Sequence, residues 1–173
     1  MTHMKVLATT FLIATCGLAS LRASAADEKQ PTAAMLAPMH ALADAFNQEQ
    51  PNAPDVFTSD CSILDEFAPF MWNGSEGVKA WYGALYKTMQ DPEDGHWRVK
   101  TFTPKSLQAE GDRAYFLVPS ELDYKKDGKP RVQHGDWLFV MAKSGDAWKI
   151  AAHSWAVVSD IPSAAGGKAG LKK

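Results

Sequence analysis

An aspartate on an apolar strand is the residue of this sequence best placed for acid/base chemistry. Asp65 lies two residues beyond Ile63, on the face of a predicted strand that otherwise carries apolar side chains. A carboxylate in such a position is partly removed from water, which raises its pKa toward the range useful for a general base. Because Glu66 follows directly near the strand end, an exposed acid or a turn ligand is the alternative interpretation of Asp65.

Two histidines on later strands form a second candidate group. With tight turns at Asp127-Gly128 and Gly145-Asp146, counting along the strands pairs Glu121 with His134 and places a polar set on one sheet face. Histidines titrate near neutral pH, so they could act as acid or orienting donor beside Asp65. This face is either a polar end of a pocket or the solvated side of the sheet. The polar face comprises Glu121, His134, Asp136, His153 and Trp155, and the opposite, apolar face comprises Phe116, Val118, Leu122, Trp137, Phe139, Met141 and Ile150.

Aromatic residues supply material for a ligand pocket. Six Trp, eight Phe and four Tyr are more than a core of this size requires. At helical spacing, however, Trp81, Tyr82 and Tyr86 are most simply explained as core residues. The candidate ligand-binding residues are Trp72, Tyr82, Tyr124, Asp136 and Trp155.

Other kinds of site are disfavoured. Cys16 and Cys61 are the two cysteines, too few for a disulfide framework or a cysteine-based zinc cluster, and Cys61 is predicted to be buried and inert. The histidines and carboxylates show no metal-ligand spacing, so no metal is expected. No cofactor is expected either, because the sequence has no glycine-rich phosphate loop. No serine lies in a nucleophile-elbow pattern.

Length and composition indicate one globular domain. The 173 residues carry a formal net charge of −2 and are 46% hydrophobic, which disfavours both disorder and nucleic-acid binding. Residues 1–25 contain Lys5, an apolar stretch and the small residues Ala23-Ser24-Ala25, the pattern of a cleaved secretory signal. An uncleaved anchor and lipidation at Cys16 are the alternatives. We therefore expect an exported protein, periplasmic or secreted, with no stable membrane insertion after cleavage.

The remaining chain alternates elements in a way that predicts an α+β fold. Thr32 caps a first helix that reaches Phe46, residues 56–67 form a strand, and a second helix begins at Asn73-Gly74-Ser75. Strands over residues 97–107, 113–124, 132–142 and 148–157 follow, separated by Gly/Asp turns, and form an antiparallel meander. The domain is expected to span residues 26–160 and to be followed by a disordered tail over residues 161–173.

Three stretches carry a resemblance to a known family. They are the run from Phe57 to Asp65, the Trp72-Asn73-Gly74 step before a helix carrying Trp81, and the run from Gly145 to Ser154. Over about residues 33–158 the chain resembles the nuclear transport factor 2-like superfamily, which includes SnoaL-like polyketide cyclases, ketosteroid isomerases and scytalone dehydratase.

The resemblance implies a cone-shaped, curved antiparallel sheet that is covered by N-terminal helices and holds a small apolar ligand, as in cystatin-like α+β rolls. The resemblance also implies a homodimer, which is common in that family. Asp65 matches the aspartate that shuttles a proton in the isomerases. Where those enzymes place a tyrosine on the first helix, this chain has Leu42, which cannot donate a hydrogen bond.

Three hypotheses of function follow. The first is an exported module that binds a small hydrophobic molecule. The second is an isomerase, cyclase or dehydratase that moves protons with Asp65 and His134 or His153. The third is a structural or partner-binding domain whose cavity has collapsed. An enzyme requires at least two of these groups to meet at one substrate, whereas a binding module requires only an apolar cavity.

Overall fold

The computed structural model describes residues 30–163 as two helices packed on one mixed sheet. The elements are α1 Ala33–Asn47, β1 Phe57–Leu64, β2 Met71–Asn73, α2 Gly74–Met89, β3 Arg98–Thr101, β4 Lys105–Glu110, β5 Arg113–Lys126, β6 Lys129–Ser144 and β7 Ala147–Pro162. The sheet has seven strands in the order β2-β1-β7-β6-β5-β3, with β4 also paired to β5. β1 runs parallel to β7 and the other pairs are antiparallel. The predicted α+β class is confirmed.

Both helices form as their apolar spacing predicts. The Thr32 hydroxyl accepts a hydrogen bond from the Met35 N–H at 3.3 Å and caps α1, because the first N–H groups of a helix have no partner within it. α2 starts directly after Asn73 and turns one face to the sheet. The buried residues of the two helices are Pro38, Met39, Leu42, Ala43, Ala45, Phe46, Val78, Trp81, Tyr82, Leu85 and Met89.

The hairpin turns also form as predicted. Gly111, Gly128 and Gly145 all adopt positive φ, which tight turns between antiparallel strands require. The stretch predicted as one strand over residues 97–107 is instead two strands, β3 and β4, both paired with β5. β7 reaches Pro162, two residues beyond the expected end of the domain.

Two sequence-based expectations fall on residues that the structure does not describe. The signal peptide over residues 1–25 and the tail from residue 164 onward lie outside the described part of the chain. Between residues 30 and 163, no helix is long and apolar enough to cross a membrane.

A β-bulge in β7 corrects the predicted sheet faces. Near the turn, Met141 pairs with Ile150 in the expected register, but Val140 pairs with Ala152, so Ala151 is an extra residue. Since side chains alternate between faces, one extra residue moves everything beyond it to the other face. His153 therefore lies opposite Phe139 rather than Leu138.

The polar face predicted for His134 and His153 is thus divided between the two sides of the sheet. Trp155 likewise lies opposite Trp137 rather than Asp136. The pairing of Glu121 with His134 is confirmed. His153 and Trp155 consequently join Trp137 and Phe139 on the face that packs against the helices, which we call the inner face.

Candidate functional site

A small aromatic cavity lies between the inner face of the sheet and the helices. Its volume is about 70 Å³. The end of β1, both helices and the central strands of the sheet meet at this cavity. The lining residues are Phe46, Asp65, Glu66, Phe67, Trp81, Leu85, Trp97, Val99, Leu122, Gln133, Trp137, His153 and Trp155.

The inner cavity adjoins a larger, more polar outer cleft of about 450 Å³. The two share part of their walls, so the cleft forms the mouth of the cavity. The shared residues are Glu66, Phe67, Leu85, Trp97, Leu122 and Gln133, and the cleft adds Ala84, Thr88, Asp94, Tyr124, Lys125, Lys126 and Asp160.

Asp65 presents a desolvated carboxylate to the inner cavity. It follows β1 directly, and its Oδ2 accepts a hydrogen bond from Trp81 Nε1 at 2.8 Å while Oδ1 accepts the Glu66 N–H at 2.7 Å. Burial raises the pKa of the Asp65 carboxyl above its ordinary value, and these two hydrogen bonds oppose the increase. Most of the Asp65 side chain is thus shielded from water, unlike that of a simple exposed acid, and its Oδ1 also accepts a backbone N–H directly after β1, as a turn ligand does.

His153 is a fully buried, neutral imidazole at the same cavity. It is 1% exposed, and its Nδ1 accepts a hydrogen bond from Trp137 Nε1 at 3.2 Å. The Trp81 ring stands edge-on to the imidazole, with ring centroids 4.8 Å apart. Burial among aromatic rings lowers the pKa of His153 to about 3, because an imidazolium there would lose its hydration.

A third tryptophan orients a third polar side chain. Trp155 Nε1 donates to Gln133 Oε1 at 2.7 Å, and Gln133 Nε2 donates in turn to Glu66 Oε1 at 2.9 Å. Gln133 is 5% exposed, so both ends of its amide need partners. Each of the three indole N–H groups on Trp81, Trp137 and Trp155 therefore fixes one polar group of the cavity.

Part of the predicted site is brought together here. Asp65, His153 and Trp155 line the inner cavity. Tyr124 lines the outer cleft, where its hydroxyl donates to Asp160 Oδ2 at 2.8 Å.

The other predicted residues lie elsewhere. His134 and Asp136 are on the outer face of the sheet, and His134 is 40% exposed at 3.6 Å from the Glu121 carboxylate. Trp72 lies behind the cavity wall, packed on Phe67 with ring centroids 4.8 Å apart. Tyr82 is core: it stacks on Phe46, and its hydroxyl donates to the Gln50 carbonyl. These four residues line neither the cavity nor the cleft.

Sequence reasoning missed several residues of the site. Trp81 was predicted as core and Trp137 as part of an apolar face, although their N–H groups hold the two candidate functional side chains. Gln133 and Glu66 were not predicted at all. No clear signal for Gln133 was available in the sequence, because it is surrounded in the same strand by polar residues such as Arg131, His134 and Asp136.

The described residues offer no metal site. Within residues 30–163, no group of three or more His, Cys, Asp or Glu side chains converges. Cys61, predicted to be buried, is 0% exposed, and burial raises the pKa of its thiol to about 12.

Comparison with known proteins identifies the fold. No family model and no curated protein matches the chain. Solved structures do match. A ketosteroid isomerase-like protein from Erwinia carotovora atroseptica is 20% identical, with 73% of this chain and 95% of that chain covered and a TM-score of 0.59.

Two further structures agree with this result. A protein with a cystatin-like fold from Caulobacter vibrioides is 19% identical over 73% of this chain and 88% of that chain, with a TM-score of 0.59. A hexachlorocyclohexane dehydrochlorinase from Novosphingobium barchaimii is 12% identical over 76% and 89%, with a TM-score of 0.62. The chain therefore has a cystatin-like α+β fold, as these solved structures do.

Proposed function

We propose that this protein binds a small, mostly apolar molecule in the inner cavity and transfers a proton on it, with Asp65 as the base. The observation that carries the proposal is a carboxylate of raised pKa at an aromatic cavity, 2.8 Å from an indole N–H that holds it in place. A general base works best when its pKa approaches the working pH, and desolvation moves Asp65 in that direction.

The size of the site indicates how the ligand lies. Ligand pockets usually measure about 300–1,000 Å³, so the inner cavity of about 70 Å³ takes only one end of a ligand. The rest extends into the outer cleft, where Lys125, Asp94 and Tyr124 can meet polar substituents. The ligand is accordingly mostly apolar at its inner end and more polar at its outer end.

The names of two structural neighbours support proton transfer. Dehydrochlorination removes a proton and a chloride ion from carbon, and an isomerase that relocates a double bond moves a proton between carbons. Both reactions require a base beside an apolar substrate and need no redox partner.

Proton exchange into a simple ketone tests the proposal. Acetophenone in D₂O loses its methyl proton signals when a base removes those protons, and the rate can be followed by ¹H NMR. We expect the wild-type protein to accelerate this exchange and Asp65→Asn to lower the rate by about 100-fold, the low end of what a general base contributes. The melting temperature of the variant shows that it remains folded.

A matched control is available on the other face of the sheet. Asp136→Asn removes a carboxylate of the same type that lines neither cavity, and it should leave the exchange rate unchanged. Equal rates in Asp65→Asn and the wild type would remove Asp65 from the mechanism. A ligand retained by the wild type without any exchange would favour a binding module instead.

We further propose that the protein acts outside the cytoplasm, as a homodimer formed through its sheet. The signal-like sequence before residue 26 supports the first part and the family resemblance the second. Native mass spectrometry of protein isolated from its own host should show a chain that begins near Ala26 or Asp27, twice the mass of that chain, and any retained ligand. A full-length monomer would contradict both parts.

A further inference from the structure

The contact between Trp137 and His153 determines which imidazole nitrogen carries the proton. An indole N–H can only donate, so the 3.2 Å hydrogen bond from Trp137 Nε1 requires His153 Nδ1 to be an unprotonated acceptor. The proton of the neutral ring must then be on Nε2. Both side chains are buried, at 3% and 1% exposure, so water cannot readily replace this bond.

The Nε2–H group lacks a partner. Among the described residues, His153 Nε2 and Thr58 Oγ1 are the buried side-chain polar atoms without a hydrogen bond, and of these two residues His153 lines the inner cavity. A buried donor that is left unpaired costs free energy, so this N–H, on a residue that lines the cavity, is a candidate contact for an acceptor on a ligand.

The surroundings of His153 leave it no charged partner. The rings of Phe57, Trp81, Trp137 and Phe139 enclose the imidazole at centroid distances between 4.8 and 6.1 Å. The other polar side chains of the cavity are already paired with one another or with indole N–H groups.

We infer that Trp137 holds His153 as the neutral tautomer protonated on Nε2, and that His153 anchors the ligand by donating this N–H to an oxygen acceptor of the carbonyl type. The inference rests on the proposed function, because it assigns an inner-end group to the ligand of the same cavity. Trp137 is a positioning residue, since it acts through His153.

This assignment separates the roles of the two candidate functional side chains. Asp65 removes a proton from the carbon beside the carbonyl: the C–H bond breaks, an O–H bond forms on Asp65, and the electron pair moves to the carbonyl oxygen. His153 stabilises the resulting enolate oxygen by its hydrogen bond and keeps its own proton. In D₂O the proton on the Asp65 carboxyl is replaced by a deuteron from the solvent, and transfer of that deuteron to carbon, with return of the electron pair from the enolate oxygen, completes the exchange.

Nitrogen NMR of histidine-labelled protein tests the tautomer directly, without any ligand. In the wild type, His153 should show a protonated Nε2 and an unprotonated Nδ1. Trp137→Phe removes the donor to Nδ1 and should give a mixture of both tautomers. Trp97→Phe is the matched control: it changes another tryptophan of the cavity wall whose N–H donates to the Asp94 carbonyl, and His153 should keep its tautomer.

A pair of nearly isosteric probes tests the anchor. Acetophenone carries a C=O group where α-methylstyrene carries a C=CH₂ group. The binding of each can be measured by quenching of the fluorescence of the cavity tryptophans. We expect the wild type to prefer acetophenone by on the order of tenfold beyond any difference in water solubility. His153→Phe should abolish the preference, and His153→Gln, whose amide also donates without charge, should restore most of it.

Each outcome decides a separate point. A proton on Nδ1 in the wild type would overturn the role of Trp137. Loss of the ketone preference in His153→Gln as well as His153→Phe would overturn the neutral-donor role. Binding of neither probe would overturn the anchor together with the proposed pocket, whereas a normal ketone preference without proton exchange would count against the catalytic function of Asp65 alone.

Discussion

The folded protein should lose about 3 kcal/mol of stability between pH 6.5 and pH 4 through His153 alone. The unfolded chain binds a proton on this imidazole at its ordinary pKa of 6.5, whereas the folded chain does so only at about pH 3. Because the pKa of His153 is lower in the folded state, its full contribution to the free energy of unfolding is present above pH 6.5. This contribution is lost as the pH falls, at about 1.4 kcal/mol per pH unit.

Substitution isolates this contribution. His153→Gln cannot titrate, so the difference in unfolding free energy between wild type and variant should shrink by about 3 kcal/mol from pH 7 to pH 4. Asp65 acts in the opposite direction, because its raised pKa favours the folded state as the pH falls, but it is present in both proteins. Urea unfolding at each pH measures the difference. Parallel pH curves for the wild type and His153→Gln would show that His153 is charged or exposed in the folded protein.

Replacing Phe46 by alanine should cost about 3–5 kcal/mol of stability. Phe46 is 4% exposed, and its ring meets four other aromatic rings of the helix–sheet interface at centroid distances between 5.5 and 6.4 Å. Truncation removes these contacts and leaves a void that the surrounding rings can fill only in part.

The same substitution should enlarge the inner cavity, because Phe46 is one of its lining residues. We expect weaker resistance to urea together with a gain in binding of 2-acetonaphthone, a larger ketone than acetophenone. Phe70→Ala is the matched control: Phe70 is 60% exposed, and its loss should change stability by less than about 0.5 kcal/mol. A loss below 1 kcal/mol at Phe46 would contradict the packing described above.

The fold was predictable where the signals were local. Apolar residues that recur with the 3.6-residue period of a helix predict α1 and α2. Glycines, which adopt positive φ, predict the tight turns. Both signals lie within a short stretch of sequence. The parallel pairing of β1 with β7 joins residues about 90 positions apart, such as Ile63 with His153, and no short pattern indicates it. The break at residues 102–104 between β3 and β4 was likewise missed.

The candidate site was likewise predictable only where its signal lay within one strand. Asp65 was found because it interrupts an apolar face within one strand. His153 and Trp155 were named but placed beside Asp136, because strand counting has no means of detecting an extra residue. Ala151 gives no bulge signal of its own, since it is followed by a second alanine, Ala152, that pairs regularly in the same strand. The roles of Trp81 and Trp137 depend on side-chain direction, which residue type alone does not reveal.

The extra residue at Ala151 also determines how relatives with this fold are to be aligned. At identities of 12–20%, an alignment of β7 is fixed by little except its length. If a relative lacks this bulge, an ungapped alignment matches His153 to a residue on the outer face of that protein, where it has no access to the cavity. A gap of one residue in this strand therefore decides whether a histidine is compared with a ligand contact or with a surface position, so bulges have to be placed by superposition before site residues are transferred.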